Sequence, residues 1–468
     1  MVLLFLLIPY AHPAEIHADA QKITNTLQQL AATSHIPDYA VVVVRHDSVL
    51  FQLDRNPANA GKNYLIGSCS KSFTALAVLK LVKDGKISLD LPIKELLPWF
   101  EMKNPSYSGM VTVRQLLNQT SGFERQFGFF DSQTDDLESY EQELAGYIQH
   151  IDVRYTPGST FLYSNLNYVL LGLVIRHAAG ESYGDYLTRQ ILPVAGMTHT
   201  WSYHPVAHEN NLIQPYHYML WGLPFQSKVY YASDFFVPAG YIGSNLSDIA
   251  GYMQFMLNKT ISPAGDTLIP EPLYRELTGM DKTGYAMGWF HSNGDSISMV
   301  SHSGLDENFS SSFTFFPDLD LGYAILCNSN SFEFCGKADA ALRGILLGKP
   351  FFMGGGMEKK LRLAGFFVPL ILLVMFIFNI LRWREWGLHI NMTGKILPVL
   401  RWLAGVLLSV IPVVLMSNMY QLHVKDMVRF SPDIAWGLIL VAGLGLLSAT
   451  VRYFGTASKF RGAHLNDQ

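Results

Sequence analysis

Cysteine is scarce in this chain, with three residues among 468. The three do not make a disulfide framework. Cys69 adjoins Ser68 and reads as a small packed residue. Cys327 and Cys335 can pair in an oxidising compartment, but their spacing does not establish a bridge. Charge is sparse too: Asp, Glu, Lys and Arg make up 15% of the residues and the net charge is −4. With no basic block and no interleaving of basic and aromatic residues, nucleic acid is excluded as a partner. The histidines at 204, 208 and 217 lack ligand-like spacing with a cysteine or carboxylate cluster, so no metal site is expected. Internal repeats and low-complexity tracts are also missing.

The lack of charge is uneven. Leu363 to Leu381, Trp402 to Val424 and Ile434 to Val451 contain no Asp, Glu, Lys or Arg. Each run is close to the ~20 apolar residues that a helix needs to cross a bilayer. Three such runs in succession predict three transmembrane helices within 363–452, followed by a tail at 453–468. Residues 1–18, "MVLLFLLIPYAHPAEIHA", have a short apolar core followed by small residues. They read as a signal peptide or an N-terminal anchor, although the usual positive n-region is missing. Arg382, Arg384 and Lys395 in the first loop, with Arg452, Lys459 and Arg461 in the tail, favour a cytoplasmic side there. Lys425 and Arg429 in the other loop are offset by Asp426 and Asp433, whereas "EKKLR" at 358–362 runs against the bias. The balance predicts a multi-pass protein of the cell (inner, cytoplasmic) membrane. Its large domain, residues 19–350, would be extracytoplasmic and joined through a linker at 351–362 that contains three consecutive glycines.

Within that domain, "ITNTLQQLAATS" has helical spacing and "AVVVVRHDSVLFQL" reads as a hairpin. A helix over 68–83 closes at Gly85, and a largely helical middle follows. The aromatic-rich stretch 201–238 reads as a long irregular loop. Strands return in "GYAMGWF", "SISMVSHSG", "SSSFTFFPD" and "LGYAILCNS", and a helix over about 336–348 ends the domain. Strands at both ends with helices between them predict an α+β fold: one antiparallel sheet beside a helical subdomain.

Three short stretches can carry chemistry. In "IGSCSKSF", Ser68 precedes Lys71 by one helical turn, so hydroxyl and amine share a face. Gly67 puts Ser68 at a helix N-terminus, where free N–H groups favour developing negative charge. A lysine whose pKa is drawn down can take a serine proton. Helix capping is the alternative use of such a serine. In "PGSTFLYSNLNY", Tyr163 and Asn165 sit between a Pro-Gly turn and an apolar helix. Tyr163 can relay a proton and the Asn165 amide can meet a substrate carbonyl; packing and capping are the alternatives. In "MVSHSGLDENF", His302-Ser303-Gly304 ends a strand, and its glycine admits close backbone approach.

Taken together, the order, spacing and flanks of these stretches resemble the serine hydrolases related to class C β-lactamases and penicillin-binding D,D-peptidases. The similarity runs from about Ile36 to Gly348 and includes "VTVRQLLNQTSGF" and "PAGYIGSNLSDIAGYM". It implies the β-lactamase/D,D-peptidase-like α+β fold and an acyl-enzyme formed on Ser68. Lys71 and Tyr163 would move the proton, the resemblance leaving open which is the base in each step. Asn165 would hold the substrate's amide side. His302 would stand where many relatives carry the lysine of a Lys-Thr-Gly triplet. The oxyanion would be met by the N–H groups of Ser68 and of Leu305, the residue after Gly304. Neither metal nor organic cofactor is implied. Departures from the pattern are Pro37-Asp38 for Pro-Gly, Asn118-Gln119 where a histidine is usual, and Asn308 where glycine is common. Asn308 lies near the mouth of the site as a candidate for shaping substrate choice.

Fold does not fix substrate. An extracytoplasmic domain of this kind followed by membrane spans resembles the peptidases that remove an acyl-D-asparagine segment from nonribosomal peptides during export, of which the colibactin-maturing peptidase is one. The expectation is a membrane-anchored peptidase on D-amino-acid-containing substrates. A D,D-carboxypeptidase, a teichoic-acid D-alanyl esterase, a β-lactamase and a catalytically silent β-lactam sensor are the alternatives, with a small peptide, ester or lactam as the ligand. Oligomeric state is not legible.

Overall fold

Residues Tyr39–Val44 hold four consecutive valines, a run that cannot alternate between core and solvent. All six are buried, as expected of a strand covered on both faces. The computed structural model describes residues 13–352 apart from 129, 131, 133, 204–210, 220–221, 229–232, 280–283 and 295–296. Beyond those it describes 432–463 and scattered positions between 356 and 428.

The main sheet has seven strands: β1 (Tyr39–Val44), β2 (Val49–Asp54), β3 (Gly284–Ala286), β4 (Trp289–Gly294), β5 (Ile297–Leu305), β6 (Ser310–Phe316) and β7 (Leu321–Cys327). Their order is β2-β1-β7-β6-β5-β4-β3, and the pairs are antiparallel. The N-terminal hairpin therefore closes onto the last strand of the domain, with Tyr39 opposite Cys327. The helices used below are α1 (Pro13–Thr33), α2 (Ser70–Lys83), α3 (Asn165–Ala179), α4 (Leu246–Leu257), α5 (Phe332–Leu346) and α6 (Pro432–Ala463). α1 and α5 pack together along the sheet, while α4 packs on β1, β6 and β7. α2 is buried from Ser70 to Leu79. Its Phe73 ring stacks on Tyr252 of α4 with centroids 4.1 Å apart, which ties the helical subdomain to the sheet layer.

The α+β expectation describes this architecture. Some local readings differ from it. "GYAMGWF" is a hairpin, not one strand, because Met287 and Gly288 both take positive φ, 41° and 93°, as a two-residue turn requires. The last helix starts at Phe332 rather than 336, with Ser331 accepting the Phe334 N–H as its cap. α1 begins at Pro13, so residues 13–18 of the expected signal region are helical. Cys327 and Cys335 are buried free thiols; Cys335 donates to Ser310 Oγ at 3.3 Å.

The chain divides into two units, residues 1–217 with 226–355 and residues 218–225 with 356–468. In the second, the Arg362 guanidinium lies 4.4 Å from the centre of the Tyr218 ring. Among the described residues one helix is long and apolar enough to cross a membrane. It is the Ile434–Val451 part of α6, with mean hydropathy 2.1. At about 1.5 Å per residue this segment nearly matches a bilayer's hydrocarbon core. Of the other two expected spans, Leu363–Leu381 is described at about half of its positions, and Trp402–Val424 lies mostly outside the described residues.

Candidate active site

A short 3₁₀ turn, Gly67–Cys69, leads into α2. It is fixed from two sides. On one, the Ile66 N–H donates to the Ile242 carbonyl at 3.0 Å and the Ile242 N–H donates to Ser70 Oγ at 3.1 Å. Ser70, two residues after Ser68, is thus a structural support. On the other side, Ser311 Oγ donates to the Ile66 carbonyl at 2.8 Å, and Cys69 Sγ donates to the His302 carbonyl at 3.3 Å. Burial pushes the Cys69 thiol up to about 12, so it stays protonated and packs. Gly67 has φ +52°, and a β-carbon there would collide with Gly304 and the Leu305 nitrogen. A β-carbon on Gly304 would in turn strike the Ile66 carbonyl. The two glycines let the Gly67–Cys69 turn and β5 touch backbone to backbone.

This contact gathers the residues singled out from sequence. Lys71 Nζ is 3.0 Å from Ser68 Oγ and 2.8 Å from Asn165 Oδ1, and it also donates to the Ala239 carbonyl. Tyr163 lies close enough to Ser68 for that hydroxyl to lower the phenol's pKa, and its ring centre is 5.1 Å from Lys71 Nζ. The Lys71 side chain is fully buried. Burial is the main force holding its amine well below the usual lysine range, with a smaller push from Arg125. Burial raises the Tyr163 phenol well above its ordinary value, and the adjoining Tyr285 adds to this. His302 is 3% exposed; its Nδ1 is 2.7 Å from the Ser303 carbonyl. Burial, and next the nearby Lys71, lower its pKa to about 3.

Asn308 is not brought into this group. It is buried, its amide donates to the Lys228 carbonyl at 3.0 Å, and its N–H donates to Asp306 Oδ1 at 2.8 Å. These bonds brace the β5–β6 turn.

Other residues of the site had no role assigned from sequence, Gln119 being noted only as a departure from the family pattern. Gln119, at φ +59°, presents Oε1 to the Ser164 N–H at 2.9 Å and also to the Asn167 amide. It brackets the start of α3 and so aims Tyr163 and Asn165. Arg125 heads the turn Arg125–Gly128, where a β-carbon on Gly128 would meet the Asn165 nitrogen. That turn therefore lies on the start of α3, and the exposed Arg125 acts electrostatically on both Lys71 and Tyr163. Ala239 follows Pro238 in "PAGYIG", and only its carbonyl matters here.

The protein-family model named Beta-lactamase matches residues 23–347. The chain belongs to the beta-lactamase family. Among curated relatives, Protein flp of Staphylococcus aureus (strain NCTC 8325 / PS 47) is 26% identical over 457 residues, covering 93% of this chain and 89% of its own. That similarity runs past the end of the family domain into the C-terminal region. Penicillin-binding protein 4* of Bacillus subtilis (strain 168) is 31% identical over 150 residues, or 31% of this chain and 32% of its own. The fold is similar to that of an octameric penicillin-binding protein homologue from Pyrococcus abyssi, with TM-score 0.60 at 22% identity over 74% of this chain and 82% of that one. A class C beta-lactamase in complex with cefoxitin superposes with TM-score 0.58 at 19% identity, over 70% and 99% of the two chains.

Proposed function

We propose that the protein is a serine hydrolase working through an acyl-enzyme on Ser68. The observation that carries this reading is the convergence of Lys71 Nζ on Ser68 Oγ, Asn165 Oδ1 and the Ala239 carbonyl. A neutral amine has two N–H donors and one lone pair. Asn165 and Ala239 take the two donors, leaving the lone pair for the Ser68 hydroxyl proton. Lys71, whose neutral form burial favours, is then the general base of acylation. Ser68 Oγ attacks the substrate carbonyl, and the oxyanion is met by the N–H groups of Ser68 and Leu305. Tyr163, kept protonated by burial, donates to the departing atom, and the proton on Lys71 restores it. Water then attacks the ester carbonyl and releases Ser68.

The substrate class we favour is a D-amino-acid-containing peptide. The domain would be extracytoplasmic and anchored through α6 and the two apolar runs before it. Labelling with a fluorescent penicillin and with a fluorophosphonate tests the chemistry. Adducts on the wild type and none on Ser68→Ala are expected, and equal labelling of both would remove the reading. An adduct that never turns over would favour a sensor. Acyl-D-Asn, D-Ala-D-Ala and D-alanyl ester compounds test the class, where cleavage of the ester alone would displace the peptidase. Activity should pellet with membranes and be lost when protease is added to intact spheroplasts.

A further inference from the structure

Beside Tyr163 lies an aromatic cluster that the proposed chemistry does not use. Phe161 and Phe290 are 43% and 39% exposed, high for large apolar rings at the edge of a buried site. They are not isolated. Tyr285 sits 5.4 Å from Phe161 and 4.9 Å from Phe290, centre to centre. It meets Tyr163 edge-on at 6.0 Å. The His302 ring closes the group, 5.5 Å from Phe290, 5.9 Å from Tyr285 and 6.2 Å from Tyr163. The open apolar rings are thus continuous with two residues of the proposed site.

The imidazole gives this surface a polarity. A carbonyl oxygen only accepts, so His302 Nδ1 carries the proton it gives to the Ser303 carbonyl. His302 Nε2 is therefore a lone-pair acceptor. It is buried and has no hydrogen-bond partner among the described residues, an arrangement that calls for a donor from a ligand. The loop after β5 adds no cation: Asp306 caps the Asn308 and Phe309 N–H groups, and both Glu307 oxygens accept from the Tyr241 hydroxyl. Arg125, in the turn packed on Asn165, is the exposed cation that acts on Tyr163 from the α3 side, and it is not among the rings of the cluster.

We propose that Phe161, Tyr285, Phe290 and His302 form a leaving-group subsite for an uncharged, apolar substituent bearing an N–H or O–H donor, and that it disfavours a free carboxylate. The inference rests on the acyl-enzyme reading, in which Tyr163 protonates the departing atom, so that what departs does so across the face Tyr163 shares with Tyr285. Aromatic faces favour apolar groups. A site whose buried acceptor needs a donor discriminates strongly against a group that lacks one, and a carboxylate adds repulsion by the lone pair. A free terminal carboxylate beside the scissile bond would therefore mark a poor substrate, and an internal peptide bond or a carboxamide a good one.

The test uses the full-length protein and compounds sharing one acyl group, N-acetyl-D-alanyl. It is joined to D-phenylalaninamide, D-phenylalanine or D-alaninamide. The amide of phenylalanine should exceed the free acid in kcat/KM by about tenfold or more. Phe161→Ala combined with Phe290→Ala should lower kcat/KM for phenylalaninamide at least about fivefold more than for alaninamide. His302→Lys should move the preference toward the free acid, an outcome that a purely structural histidine would not give. Equal rates on amide and acid, or equal losses on both side chains, would overturn the subsite. Fluorophosphonate labelling of Ser68 and calorimetric binding of the same compounds to Ser68→Ala keep the two readings apart. Absence of label removes the hydrolase, whereas equal binding of acid and amide by Ser68→Ala removes the subsite alone.

Discussion

Gly67 and Leu305 meet backbone to backbone: a β-carbon on Gly67 would strike the Leu305 nitrogen, and the Gly67 φ of +52° is one that other residues rarely adopt. The contact joins the two proposed oxyanion donors. Gly67→Ala should push β5 away and lower the rate of Ser68 labelling by about 10²–10³, the cost of one such donor. Circular dichroism should report a retained fold. A loss of less than about tenfold would mean that the oxyanion is held elsewhere.

Lys71 should set the pH profile of acylation. Since burial depresses its pKa, the labelling rate should rise with pH through an inflection well below 10.5. Lys71→Ala should cost about 10²–10⁴ in rate. Lys71→Arg should not restore it, because a guanidinium stays protonated and cannot accept the Ser68 proton. Full activity in Lys71→Arg would transfer the base role to another group.

His302 should make the fold acid-sensitive. In the unfolded chain the imidazole binds a proton near 6.5, and in the native protein only near 3. The unfolded state thus holds more protons between those values, so stability falls as pH drops from about 6.5 to about 3. The slope from this one group approaches ~1.4 kcal/mol per pH unit. Urea unfolding followed by tryptophan fluorescence across that range should show it, and His302→Gln should flatten it.

Arg125 should tune the site from outside. Its charge lowers the pKa of both Lys71 and Tyr163, so Arg125→Gln should move the acidic limb of the labelling profile to higher pH. Because Arg125 is exposed, salt should screen the effect. The difference between wild type and variant should shrink at high ionic strength, and a difference unchanged by salt would point to a packing role.

Periodicity and turn residues made the α+β layout readable, since the valine run of β1 and the alternation of β5 state burial directly. Residues that act through their side chains within one helical turn, Ser68 and Lys71, were readable for the same reason. Gln119 and Ala239 were not. Gln119 works through a single side-chain oxygen across more than forty positions, and Ala239 through a backbone carbonyl that no residue type advertises. Asn308, a candidate on the family pattern alone, has its N–H on Asp306 and its amide on the Lys228 carbonyl, partners that no sequence signal announced. The β3–β4 hairpin was missed because Met287, unusual at positive φ, carries no turn signature.

The pairing of β1 with β7 has a consequence for when activity begins. Residues 39–44 must wait for residues 322–327 before the sheet closes, and Gly67 must wait for Gly304. Contacts this distant along the chain form slowly and late. A ribosome will have made most of the domain before Ser68 has Leu305 or a buried Lys71 beside it. Unfinished chains should therefore be inert toward acylating probes, with reactivity appearing abruptly once the final strand is in place.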